Sequence, residues 1–182
     1  FDANGNTTGI ENFRFPVGEA GKGYIGANFS GIGTDFPALQ DVMKYVVDAG
    51  NSQADPSTVG HVLYNRGLYN AVLVSEAIRA AQKITGKTVI TGEDMRLGLE
   101  NFVLDQARLA EIGLPGFTGD VKGDCKDHEG AGGVFLQQWN GSDWEKITDP
   151  IPPMTDVVQP LLAAAAEAYK ADKPEWKGQV CK

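Results

Sequence analysis

Histidine and cysteine are scarce in this chain of 182 residues, with two of each. That scarcity leaves little from which to build a zinc site. Cys125 and Cys181 lie far apart and match neither zinc nor thioredoxin spacing, so two free thiols and one disulfide are both open readings. No apolar run within the chain is long enough to span a membrane. Positive charge is also in deficit: 16 Lys and Arg stand against 24 Asp and Glu, for a net charge of -8. No basic cluster is present that could neutralise a row of phosphates, which argues against a nucleic-acid surface. The acidic balance identifies no partner, because many proteins carry such a charge only to remain dispersed. There is no P-loop, and Gly31-Ile32-Gly33 lacks the rest of a dinucleotide fingerprint. Ser75 and Ser142 lie outside any G-x-S-x-G context, so a serine nucleophile has no support.

What remains is an ordinary globular composition, 42% hydrophobic and 22% charged, in a chain long enough for one domain or two small lobes. The opening, FDANGNTTG, is polar and turn-rich and starts at Phe1, which reads as a cut through a longer protein. Lys22–Phe29 alternates weakly and predicts a strand. Gly31 to Phe36 marks a crossing or hinge. Thr34 or Asp35 can cap a helix that Pro37 enters in its first turn and that runs to about Asp48. Val59 to Gly86 is the most informative stretch. It reads as a short strand, a polar Tyr64-Asn65-Arg66-Gly67 knot, and a nearly all-apolar helix from about Tyr64 to Ile84. A helix apolar on most sides is expected to be buried in a layered α/β body.

Thr91 and Asp94 form a capping-box pattern opening a third helix, expected to reach Glu111, which Gly113-Leu114-Pro115-Gly116 ends. Phe117–Lys122, Gly133–Trp139 and Trp144–Ile147 read as strands, the last two joined by the hairpin signal Asn140-Gly141. A final Ala-rich helix covers about Val157 to Ala171, with Pro160 expected in its first turn or at its true start.

Chemistry is thinly represented. Tyr64, Asn65 and Arg66 form the candidate binding group: an Arg fork suits a carboxylate, Tyr offers a ring with a hydroxyl, and a helix start adds amide N–H groups and a positive field. The plain alternative is a helix start that pairs with a neighbour. Cys125-Lys126-Asp127-His128 places three possible metal ligands within four residues, although loop charge is the commoner reason for such a cluster. Carboxylates such as Glu93, Glu100, Asp105, Asp124 and Glu129 fall mostly at solvated positions. No catalytic constellation accompanies them, which favours binding over chemistry.

Four stretches then carry a resemblance: GEAGKGYIGANFSGIGTDFPALQ, VLYNRGLYNAVLVSEAIRAAQ, ITGEDMRLGLENF and FTGDVKGDCKDHEGAGGVFLQQWNG. In this order and spacing, from about Gly18 to Met154, they resemble the C-terminal half of a branched-chain amino-acid-type ABC transporter substrate-binding protein. The resemblance implies an α/β chain forming part of a type I periplasmic-binding fold, two-lobed and Rossmann-like, with a late β-hairpin and a C-terminal helix. It implies residues 1–35 as a strand and hinge segment at the lobe II crossover, 36–115 as the helical portion of lobe I, and 116–182 as the hairpin and C-terminal helix returning to lobe II. Gly31 and Gly33 would be hinge residues, and Tyr64 to Arg66 would face the cleft. Cys125 and Cys181 would form a disulfide in an oxidising compartment. The implied protein is no enzyme and needs no metal or organic cofactor. It is periplasmic or extracytoplasmic after removal of a signal peptide, and captures a small amino acid or organic acid. Its partners would be that small molecule, a membrane ABC permease and the missing N-terminal half. Two other readings stand beside it: a ligand-sensing regulatory module of the same fold, and a hydrolase with a site around Cys125 to Glu129.

Overall fold

The structure, a computed structural model, describes residues 18–53, 55–126, 128, 130, 132–142 and 144–175. The chain forms two compact units divided after Ile151.

In the first unit, strand β1 (Ile25–Asn28) pairs antiparallel with β4 (Phe135–Trp139), and β4 pairs with β5 (Trp144–Lys146) across the expected hairpin. Asn140 shapes that turn, its Oδ1 accepting the Ser142 N–H at 3.0 Å. Along β4, Phe135, Gln137 and Trp139 turn inward, the period-2 alternation of a half-buried strand.

Helix α1 (Pro37–Val42) starts with Pro at its first position, where a missing N–H costs nothing. Its N-cap is Phe36, without a side-chain cap bond. The expected caps are not used as caps: the Thr34 carbonyl accepts the Gln40 side-chain amide at 2.6 Å, and the Asp35 carboxylate makes no cap bond. The helix then widens into a π turn over Met43–Val47, with Asp48 N–H reaching back five residues to Met43 O at 2.8 Å.

Helix α2 (Val62–Thr85) is the longest described element, closed by Gly86 in the left-handed conformation at φ 71°. It begins two residues earlier than expected, and Val59-Gly60 form a turn where a short strand was predicted. It is also not buried on most sides. Val62, Asn65, Tyr69, Ala77 and Ala81 face inward at helical spacing, while Leu63, Val74 and Ile84 are exposed.

Helix α3 (Gly92–Leu99) opens on the predicted capping box: Thr91 Oγ1 accepts the Asp94 N–H at 3.2 Å and Asp94 Oδ2 accepts the Thr91 N–H at 2.9 Å. It does not continue to Glu111. Phe102 and Leu104 are buried and Val103 between them is exposed, which is strand alternation. Val103–Leu104 forms β2, paired antiparallel with β3 (Val121–Lys122). Asp105 then caps a separate helix α4 (Gln106–Glu111), its carboxylate accepting the Arg108 N–H at 2.8 Å. The predicted strand from Phe117 is correspondingly reduced to its last two residues, because Phe117 and Thr118 lie in a bend whose carbonyls serve the Gly31 amide and the Gln106 side chain.

The core lies between α2, α4 and β2: Tyr69, Ala77, Leu104, Leu109, Leu114 and Phe117, with Phe36 edge-on to Phe117 at 5.0 Å. On its rim, Arg108 bridges Glu76 of α2 at 2.8 Å and Glu111 at 2.9 Å, and these bonds hold its guanidinium well above the usual arginine range.

Lys87 Nζ holds both Asp94 oxygens at 2.8 Å. That contact and the Thr91 bonds lower the Asp94 carboxyl from 3.8 to about 2. The folded carboxylate therefore stays ionised while the unfolded one protonates. Its stabilisation is complete above the unfolded value of 3.8 and falls away as pH drops toward about 2. Denaturation midpoints followed from pH 5 down to pH 2 are expected to decline, and Asp94→Asn should flatten part of that decline. An identical decline in the variant would show that this carboxylate is not responsible.

In the second unit, helix α5 (Thr155–Asp172) replaces the shorter predicted span. Pro160 sits inside it, in the second turn and not the first, and so leaves the Asp156 carbonyl without its usual amide donor.

Candidate functional site

The chain leaves β1 through a polar, fastened corner. Asn28 Oδ1 accepts its successor's N–H, that of Phe29, at 2.9 Å. Gly31 N–H donates to Phe117 O at 2.6 Å, and Gly33 N–H to Gly60 O at 2.8 Å. The two expected hinge glycines differ in what demands glycine. At Gly31 a Cβ would run into the Phe36 ring, so the reason is close packing. At Gly33 the backbone is at φ 84°, which only glycine adopts easily.

Asn65 closes this corner. It is fully buried, and its Nδ2 donates to Gly31 O at 3.0 Å and to Gly33 O at 3.1 Å. Both amide hydrogens are thereby used on backbone, and Asn65 serves as a strut between α2 and the loop.

Tyr64 and Arg66 occupy the third and fifth positions of α2, so the group lies inside the first turns and not ahead of them. Both are half-buried. The Arg66 guanidinium carbon lies 5.0 Å from the centre of the Phe29 ring, a cation–π contact, and Phe29 in turn leans on Tyr69 at 6.2 Å. Among the described residues no carboxylate pairs with Arg66, and its Nε is buried without a hydrogen-bond partner. Its fork is chemically uncommitted, unlike those of Arg96 and Arg108, each of which is claimed by two glutamates.

Beside the corner opens a cavity of about 480 Å³, large enough for a small organic molecule. Its walls are the Ile32–Asp35 loop, Met43, the Pro56–Val62 segment that leads into α2, and the hairpin tryptophans Trp139 and Trp144. The two indoles lie 5.5 Å apart, and Tyr24 meets Trp144 edge-on at 6.1 Å. Asp55 stiffens the Pro56 segment: its carboxylate accepts the Ser57 N–H at 2.9 Å, and that bond lowers its pKa. Neither Tyr64, Asn65 nor Arg66 lines this cavity. Sequence reasoning missed it because four separate stretches build it. The only local signals were the Asn-Gly hairpin, which sets the tryptophans opposite each other, and Asp55-Pro56.

Cys125 lies half-buried in a bend, and no free cysteine occurs among the described residues. Cys181, Asp127 and Glu129 fall outside the described residues, so neither the disulfide expectation nor the hydrolase reading gains a geometry. Among the described residues no group of three or more His, Cys, Asp or Glu side chains could hold a metal ion, and no helix is long and apolar enough to cross a membrane.

Taken together, the α/β layering, the late hairpin and the terminal helix are part of a type I periplasmic-binding fold. No protein-family model matches the chain, and no curated protein matches it. Two solved structures do. One is the crystal structure of an ABC transporter permease from the Pseudomonas fluorescens group: TM-score 0.82, 36% sequence identity, covering 91% of this chain and 40% of that one. The other is a branched-chain amino-acid ABC transporter from Thermus thermophilus with bound valine: TM-score 0.58, 20% identity, covering 75% of this chain and 35% of that one. The chain thus spans well under half the length of either, and it is similar to components of ABC transporters. The second likeness speaks to fold alone.

Proposed function

We propose that this chain is part of an extracytoplasmic solute-binding protein that captures a small amino acid or organic acid for an ABC importer. The observation that carries the reading is the 36% identity extending over 91% of the chain to an ABC transporter component. Arg66 supports it, because an anionic solute could pair with a guanidinium that no carboxylate pairs with among the described residues. In this reading Tyr64 packs beside the solute, Asn65 holds the loop, and Gly33 is the better pivot of the two glycines, since packing pins Gly31. The chain binds and does not catalyse, works without cofactor, and hands its solute to a membrane permease.

The test is equilibrium binding on the longest natural polypeptide that contains this chain, against a panel of amino acids and small organic acids. At least one is expected to bind and to raise the melting temperature, and Arg66→Gln should weaken it by about tenfold or more, the scale of a lost charge-assisted pair. No binding across the whole panel would overturn the reading. Binding indifferent to Arg66→Gln would remove Arg66 from it.

A further inference from the structure

We propose that the cavity between the Ile32–Asp35 loop, the Pro56–Val62 segment and the β4–β5 hairpin is a binding site for a small organic cation, an amine or quaternary ammonium group. The site is separate from Arg66, and the inference stands or falls apart from the solute-binding reading.

Three observations converge. First, the volume of about 480 Å³ admits a small organic molecule, and the wall combines aromatic and apolar surface: Trp139, Trp144, Met43 and Ile32. Secondly, the wall holds one carboxylate, Asp35, beside His61 and the start of α2. No lysine or arginine lines it. Asp35 is an exposed carboxylate at a helix entry, yet it caps nothing and has no ion-pair or hydrogen-bond partner among the described residues. Thirdly, the two tryptophans are built into their places. Register sets them opposite each other across β4–β5. Trp139 is almost completely buried with its indole N–H committed to Gly18 O at 2.7 Å, and it backs the half-buried Trp144, whose ring is the one open to the cavity. Aromatic faces attract a cation through their quadrupole, more strongly for methylated ammonium because it is poorly hydrated. A nearby carboxylate supplies the counter-charge.

The experiment is a titration of the 15N-labelled chain at constant ionic strength, read at the indole N–H resonances, with Trp144→Phe used to assign Trp144. The probes are choline, its uncharged isostere 3,3-dimethyl-1-butanol, and propionate. Choline is expected to shift the hairpin indoles saturably, and the isostere to bind at least about tenfold more weakly. Asp35→Asn, at an exposed position that should leave folding intact, is expected to weaken choline by about tenfold. Absence of a saturable choline response, an equal response to the isostere or to propionate, or unchanged choline affinity in Asp35→Asn would each overturn the proposal.

Discussion

Replacing Asn65 with alanine is expected to lower the melting temperature by about 4–12 °C, and replacing it with aspartate by more. Asn65 is fully buried, and its side-chain amide serves two backbone carbonyls, Gly31 O and Gly33 O. Alanine leaves both acceptors inside the protein without a donor, a cost of about 2–3 kcal/mol once a small gain in helix propensity is set against it. For a domain of this size each kcal/mol moves the transition by about 2–4 °C. Aspartate is nearly isosteric but turns the donor into a third acceptor and, when ionised, brings an unpaired charge into the corner. The ordering Asn65, then Ala, then Asp is therefore the signature of a donor role. Calorimetry or circular dichroism on the three proteins reads it directly. If aspartate equalled alanine, or if neither differed from Asn65, the strut would not carry the loop, and the residue would return to the candidate ligand contacts.

The second large effect concerns two glycines that helix propensity alone treats alike. Gly67 sits in the interior of α2 and Gly98 in the last turn of α3, and inside a helix Gly→Ala is ordinarily favourable by about 0.5–1 kcal/mol. Around Gly67 there is open space, so Gly67→Ala should stabilise by that amount. At Gly98 the opposite sign is expected. A Cβ there overlaps the Ala77 carbonyl oxygen and lies 2.9 Å from Ala81 Cβ, so the crossing of α3 on α2 has no room for a methyl group. The obstacle at Ala77 is backbone, which cannot rotate aside. The helices must part, loosening the core around Ala77 and Leu104, at a net cost of about 2 kcal/mol or more. Chemical denaturation of both variants distinguishes the cases: midpoints that move in opposite directions support the crossing, and a stabilised Gly98→Ala would mean that α2 and α3 are further apart than described.

Local chemistry made much of this chain legible in advance. The Thr91–Asp94 capping box, the Pro37 helix entry, the Asn140-Gly141 hairpin and the glycine stop at Gly113 all appear where backbone rules place them, because each is decided by groups within a few residues of one another. The break after Leu99 was illegible for a physical reason. Leu99, Phe102, Val103 and Leu109 mimic helical spacing, and only the pairing of Val103–Leu104 with Val121–Lys122, some eighteen residues later, makes them a strand and a second helix. Asp105 was the one local hint, read as a solvated helix residue when it is in fact a cap.

The candidate sites divide along the same line. Tyr64, Asn65 and Arg66 were marked from side-chain type, from their place at a helix start and from the resemblance, none of which could separate their roles. The Gly31 and Gly33 carbonyls take both Asn65 amide hydrogens, while Arg66 lies on the Phe29 face with no carboxylate paired to it among the described residues. Asp35 reads in sequence as a helix cap and becomes an unclaimed carboxylate only because Phe36 takes the cap position.

The sequence by itself determined the Thr91–Asp94 capping box, the Pro37 helix entry, the Asn140-Gly141 hairpin and the net negative charge, since these follow from short-range bonding and from total charge. Tertiary structure alone decided which face of α2 is buried, why Gly98 must lack a side chain, and that two tryptophans, a loop aspartate and a helix entry share one cavity. Those outcomes depend on distances between residues tens of positions apart, and such distances exist only once the layers have packed.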